Sequence, residues 1–82
     1  MTKILKFNNA IFNLDNLEVI EIKIPIYYLH FTTCIVTVHL TEEEFLSLTE
    51  FLKNDFKFYE INKRVDGIYN DIANNIKSIT GN

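Results

Sequence analysis

From Ile24 to Leu40 the chain runs for seventeen residues without Asp, Glu, Lys or Arg, and this stretch, with the Ile-rich segment leading into it, limits what the chain can fold into. Within Glu18–Leu40, the residues Ile20, Ile22, Ile24 and Ile26 alternate with Glu21, Lys23 and Pro25, the period of two of a strand with one buried and one wet face. The alternation resumes at Thr33, with Cys34, Val36, Val38 and Leu40 on one side and Ile35, Thr37 and His39 on the other. Two strands are predicted. Tyr27–Thr32 between them lacks Gly, Asn and Asp, so a wide turn is expected instead of a tight primed one. A membrane helix needs about 20 apolar residues; this stretch is shorter, carries a Pro, two His and three Thr, and alternates at the wrong period.

Upstream, Lys3–Phe7 and Ala10–Leu14 read as short strands separated by Asn8-Asn9, a pair that tolerates left-handed backbone, and Asp15-Asn16 favours a second reversal. With connections this short, neighbouring strands pair antiparallel. Downstream, Thr41 followed by Glu44 forms a capping box, and three acids in the first turn suit the helix dipole. Phe45, Leu48 and Leu52 then form the inward stripe of a helix over 41–54, with Leu46 and Phe51 on its flanks and Glu43, Ser47, Glu50 and Asn54 opposite. Ile61, Val65, Ile68, Ile72, Ile76 and Ile79 keep spacings of three and four and are joined by Tyr69, which predicts a second helix over 60–80 with Gly67 on its wet face and Gly81 as its stop. Residues 55–60 fit a loop, a fifth strand or the start of that helix. The expected fold class is α+β: one domain spanning 1–82, an antiparallel four-stranded β-meander over 1–40 followed by two amphipathic α-helices packed on one face.

Eighty-two residues with a single cysteine have no internal disulfide to rely on, and Met1–Ala10 lacks the charged, apolar and small-residue zones of an export signal. The expected location is the cytoplasm, that of the host cell if the source is viral. Half of the residues are Phe, Tyr, Met, Ile, Asn or Lys, all favoured by AT-rich codons, which points to a low-GC bacterium, its phage or plasmid, or an archaeal virus.

Chemistry finds little to work with. His30, Cys34 and His39 are the residues that could start a soft metal site, but in an extended chain residues 30 and 34 face one way and residue 39 the other, and no second cysteine completes a four-ligand set. A small buried thiol is the plainer role for Cys34. Two glycines cannot supply a phosphate loop, and no nucleophile, base and orienter fall together. No enzyme activity, cofactor or metal is expected.

In the order of its elements the chain resembles some small phage anti-CRISPR proteins, in which a short meander precedes two helices; the likeness is of layout and carries no motif. It implies a non-catalytic protein that binds another protein, as a phage or mobile-element inhibitor of a host defence system. The net charge of −3 suits a partner that is a host nucleic-acid-binding complex, whose basic channel would meet carboxylates such as Glu42, Glu43, Glu50, Asp66 and Asp71. The expected protein-binding residues are Tyr27, Tyr28, Ile35, Glu42, Glu43, Glu50, Phe51, Phe56, Phe58 and Tyr59. Two alternatives stand beside this reading. One is a structural or regulatory homo-oligomer, most simply a dimer, since 48% apolar composition exceeds what so small a core covers. The other is a single-stranded nucleic-acid binder through residues 53–64, where Lys53, Lys57, Lys63 and Arg64 interleave with Phe56, Phe58 and Tyr59.

Eight basic residues in an acidic chain give no concentrated cationic face, so duplex DNA should bind no better than the weak non-specific level, roughly 10⁻⁴ to 10⁻⁶ M. A salt-dependent gel shift at sub-micromolar protein would contradict this.

Overall fold

The computed structural model describes residues 2–70. It contains seven strands and one α-helix: β1 (Ile4–Phe7), β2 (Ala10–Asn13), β3 (Leu17–Lys23), β4 (Ile26–Phe31), β5 (Cys34–His39), α1 (Glu42–Lys53), β6 (Phe58–Glu60) and β7 (Gly67–Asn70). A turn of 3-10 helix over Leu14–Asn16 joins β2 to β3. The strands form two sheets, ordered β2-β1-β6 and β3-β4-β5-β7. All neighbours are antiparallel except β1 and β6, which run parallel.

The two-helix meander expected from the sequence is therefore corrected, first in the hairpin. The chain reverses at Ile24-Pro25, whose peptide bond is cis, and again at Thr32-Thr33, so residues 27–31, where a wide turn was expected, belong to strand β4. Pro25 had been placed as a polar position within a strand, whereas a residue without an N–H marks where pairing stops. The reversal also resets the parity. Ile22 pairs Tyr27 and Lys23 pairs Ile26, so Ile26 lies on the opposite face from Ile20 and Ile22. Ile24, in the turn, is 79% exposed. The buried alternation lies in β4 and β5: Tyr27, Leu29 and Phe31 beside Val36 and Val38, followed by Leu40.

The second correction concerns 60–80. Ile61 and Val65 are buried as a helix would require, but their amides are committed elsewhere. Ile61 N–H donates to Lys6 C=O at 2.8 Å, Lys63 N–H to Ile61 C=O at 2.8 Å and Asp66 N–H to Thr37 C=O at 2.7 Å. Val65 N–H donates to the Asn9 side-chain oxygen at 2.9 Å. A helix needs each amide for the carbonyl four residues back, so none can run through 61–66, and the four-residue spacing there is a coincidence of irregular backbone. Gly67 opens β7 instead of resting on a helix face, and Ile68 and Tyr69 follow it into the sheet. The expected positions Ile72, Ile76, Ile79 and Gly81 lie outside the described residues. Because the likeness to anti-CRISPR proteins rested on two helices after a meander, it lends no support to a function.

Helix α1 forms as its caps dictate. Glu44 N–H donates to Thr41 Oγ1 at 3.1 Å and Thr41 N–H to Glu44 Oε1 at 2.8 Å, satisfying two end amides reciprocally. Its inward face is rotated from the expected one. Phe51, placed on the flank by periodicity, is buried with Leu48, while Phe45 and Leu52 are only partly covered. Residues from β1, β4, β5, α1 and the 61–65 segment share one core that includes Leu5, Phe7, Leu29, Val36, Val38, Leu48 and Phe51. The Asn8-Asn9 turn forms without any positive φ among the described residues. Asn9 serves a different purpose, its amide bonding both the N–H and the C=O of Val65.

Leu29 is fully buried in the core, so Leu29→Ala should lower the urea-derived unfolding free energy by about 2–5 kcal/mol. Ile24→Ser, in the exposed turn, should change it by less than about 0.5 kcal/mol. Equal losses would contradict the hairpin register.

Candidate functional site

A concavity of about 440 Å³ lies where α1 meets β6, and Leu46, Ser47, Glu50, Phe51, Phe56, Phe58 and Tyr59 line it. That volume is within the roughly 300–1,000 Å³ span of ligand sites. Its floor is the tilted pair of Phe51 and Tyr59, ring centroids 5.4 Å apart. Its rim is apolar but open to water: Leu46, Phe56 and Phe58 are 54%, 65% and 56% exposed. Large side chains left uncovered side by side are what mark a contact surface, whereas single exposed apolar residues are ordinary.

The rim is held by a side chain from the far end of the chain. The Lys3 ammonium donates to the carbonyls of Phe51 at 3.0 Å and Phe56 at 2.8 Å and also to that of Asn54, and it lies over the Phe51 ring at 4.8 Å. A cation at a helix C-terminus meets its unpaired carbonyls and the negative end of its dipole. Here it also fixes the loop that carries Phe56. Asn54 closes the helix, its N–H and side-chain amide both donating to Glu50 C=O, at 3.1 and 2.7 Å. The same amide reaches the Glu50 carboxylate at 3.3 Å.

Five of the residues expected to bind protein are gathered in this groove: Glu50, Phe51, Phe56, Phe58 and Tyr59. Phe51 and Tyr59 form its floor instead of projecting from the surface. Glu43 stands two helical turns before Glu50 on the same exposed side of α1, and Glu42 beside it in the first turn. The other three are elsewhere. Tyr27 is buried and stacks on Phe45 at 4.7 Å. Tyr28 and Ile35 belong to the outer face of the second sheet, where Lys23 covers Tyr28 with its ammonium 5.5 Å from the ring. Sequence reasoning missed Leu46 and Ser47 as lining residues and Lys3 as the clamp. The exposure of Leu46 was legible from its place on the flank of the helix, but nothing local connects Lys3 with Phe56.

The basic and aromatic run over 53–64 is not assembled into one face. Lys63 donates to His39 C=O at 2.6 Å and pairs with Glu44 at 2.7 Å, which turns it away from the groove aromatics. The parity assigned to His30, Cys34 and His39 is also corrected. The turn at Thr32-Thr33 places His30 and His39 on one face and Cys34 on the other, partly packed against the core. Each imidazole meets a carboxylate, His30 Nε2 at 3.1 Å from Glu21 and His39 Nδ1 at 2.5 Å from Asp66. Among the described residues no three His, Cys, Asp or Glu side chains gather to hold a metal ion, and no helix is long and apolar enough to cross a membrane.

Two carboxyls sit below their ordinary range. Glu21 is lowered chiefly by its hydrogen bond with His30 and then by Lys23. Burial pushes Glu44 up, but the hydrogen bonds and charge of Lys63 and the Thr41 amide together outweigh it. A carboxyl whose folded pKa is depressed stabilises the fold fully above its unfolded value, near 4.5, and that stability is lost as pH falls through the folded value. Lys63→Met should therefore flatten the decline of urea stability between about pH 5 and 3; an unchanged slope would remove the Lys63–Glu44 pair from the account. No protein-family model, curated protein sequence or solved structure matches this chain.

Proposed function

We propose that this is a non-catalytic protein-binding protein that receives its partner in the groove between α1 and β6. The observation that carries this reading is the cluster of Leu46, Phe56 and Phe58, each more than half exposed around an aromatic floor. The loop bearing Phe56 is fastened by three hydrogen bonds from Lys3, so the rim is set before a partner arrives, and a preset surface loses little entropy on binding. The polar lining consists of Ser47 and Glu50. Glu50 is engaged by Asn54, and no imidazole or thiol lines the groove to act as base or nucleophile, which favours binding over chemistry.

Phe56→Asp places a charge at the most exposed aromatic without touching the core. It should leave the unfolding free energy within about 0.5 kcal/mol and abolish capture of whatever the unmodified protein retains from a lysate of its source. Identical capture by both proteins would refute the assignment.

A further inference from the structure

The groove has a feature that an apolar patch alone does not explain. Phe58 and Tyr59 are consecutive in β6, and consecutive strand residues project to opposite faces of a sheet, yet both line the same cavity. A cavity that runs along the strand's edge meets both. That edge is open. β6 is the last strand of its sheet, and its bonds to β1 use the odd-numbered positions, Lys57 C=O accepting from Ile4 N–H and Ile61 N–H donating to Lys6 C=O, both at 2.8 Å. In a parallel ladder with this register, the N–H and C=O groups of Phe58 and Glu60 point away from β1, towards the groove.

We propose that the partner enters as an extended peptide segment that adds a fourth strand to the β2-β1-β6 sheet along the free edge of β6. The inference rests on the groove being the binding site and specifies how it is used. An extended peptide is the ligand that can bond the Phe58 and Glu60 backbone while delivering side chains to a pocket, because its own amides and side chains alternate in direction. Its inward side chains are apolar where they meet Leu46, Phe51 and Tyr59. At the helix wall they are cationic, since Ser47 and Glu50 line that wall and Glu43 extends it. Charge disfavours a second copy, which would bring its own Glu43 and Glu50 against these carboxylates.

The probe is a panel of synthetic peptides of about nine residues, roughly 30 Å when extended, in which Val and Lys alternate, with a Val and Glu panel for comparison. Titrated into the full chain, the Val and Lys peptides should bind and the Val and Glu peptides should bind at least about tenfold more weakly. N-methylation of the peptide should weaken binding about tenfold at every second amide and leave the intervening ones unaffected. Glu60→Pro removes one edge N–H and leaves the bonds to β1 intact, a place where proline is tolerated, and should weaken binding about tenfold. Lys6→Met, which breaks the Lys6–Glu60 ion pair from the other side, should bind as the unmodified protein does. Binding that Leu46→Arg abolishes, but that neither Glu60→Pro nor any N-methyl group affects, would overturn strand addition and leave the groove as the site. Failure of the Val and Lys panel to bind at about 1 mM would overturn the proposal, as would a dimer that Glu60→Pro converts to monomer, which assigns the edge to a second copy.

Discussion

The fold depends on where the backbone amides of residues 61–66 are directed. They do not bond one another along a helix; Ile61 N–H reaches β1, Val65 N–H reaches the Asn9 side chain at the end of β1, and Asp66 N–H reaches β5. One short segment thus ties the first sheet to the second, and Asn8 N–H returns a bond to Lys63 C=O at 2.9 Å. Buried backbone groups left without partners would cost about 1–3 kcal/mol each, so these bonds decide the path of the chain. With them made, Ile61 and Val65 turn into the core between the sheets, β6 lies parallel to β1, and β7 closes the second sheet beside β5.

The same constraint explains which parts of the structure the sequence disclosed. Local signals were read well: Thr41 and Glu44 cap α1, and Asn8-Asn9 and Thr41 end strands, because the responsible groups lie within four residues of one another. Non-local ones were not. Ile61, Val65 and Ile68 share a helical spacing, but Ile68 is 51% exposed in β7 while Ile61 and Val65 are buried, and an irregular segment pressed against two sheets buries residues four apart just as a helix does. Pro25 shows a different failure. The alternation from Ile20 to Ile26 continues through it, so pattern and chemistry disagreed, and the missing N–H was the stronger constraint. Once the reversal falls at residues 24 and 25, residues 27–31 become a strand of their own with Tyr27 buried and Tyr28 on the outer face, whereas the faces of β5 stay as its alternation predicts, Val36 and Val38 inward and Ile35 outward.

About half of the candidate site was legible for a related reason. Glu50 could be named from the sequence as a carboxylate on the wet side of the helix, and Phe56, Phe58 and Tyr59 because aromatic side chains near a helix end with nothing local to cover them stand out. Phe51 was named for the same reason, although it forms the floor. The shape they make was not legible. It depends on Lys3, which lies about fifty positions away in sequence yet holds the carbonyls of Phe51, Asn54 and Phe56. Only the pairing of β1 with β6 brings the two ends together, since Lys3 immediately precedes Ile4, whose N–H bonds Lys57 C=O.

This arrangement also bears on how an open strand edge persists beside an apolar groove. Edges invite pairing with other chains, and proteins limit this by keeping edge strands short and by placing charges on them. β6 has three residues, and its two open edge positions, Phe58 and Glu60, are charged at Glu60 and preceded by Lys57. A generic strand gains little there, because so few backbone bonds can form before the edge ends. Discrimination then falls to the side chains that enter the groove. Leu46, Phe51 and Tyr59 favour apolar groups, while Glu43 and Glu50 on the helix wall favour cations over carboxylates. A short edge beside an open, apolar-rimmed groove with a carboxylate on its helix wall is therefore selective by construction: the backbone bonds align an extended segment, and the groove determines which segment stays.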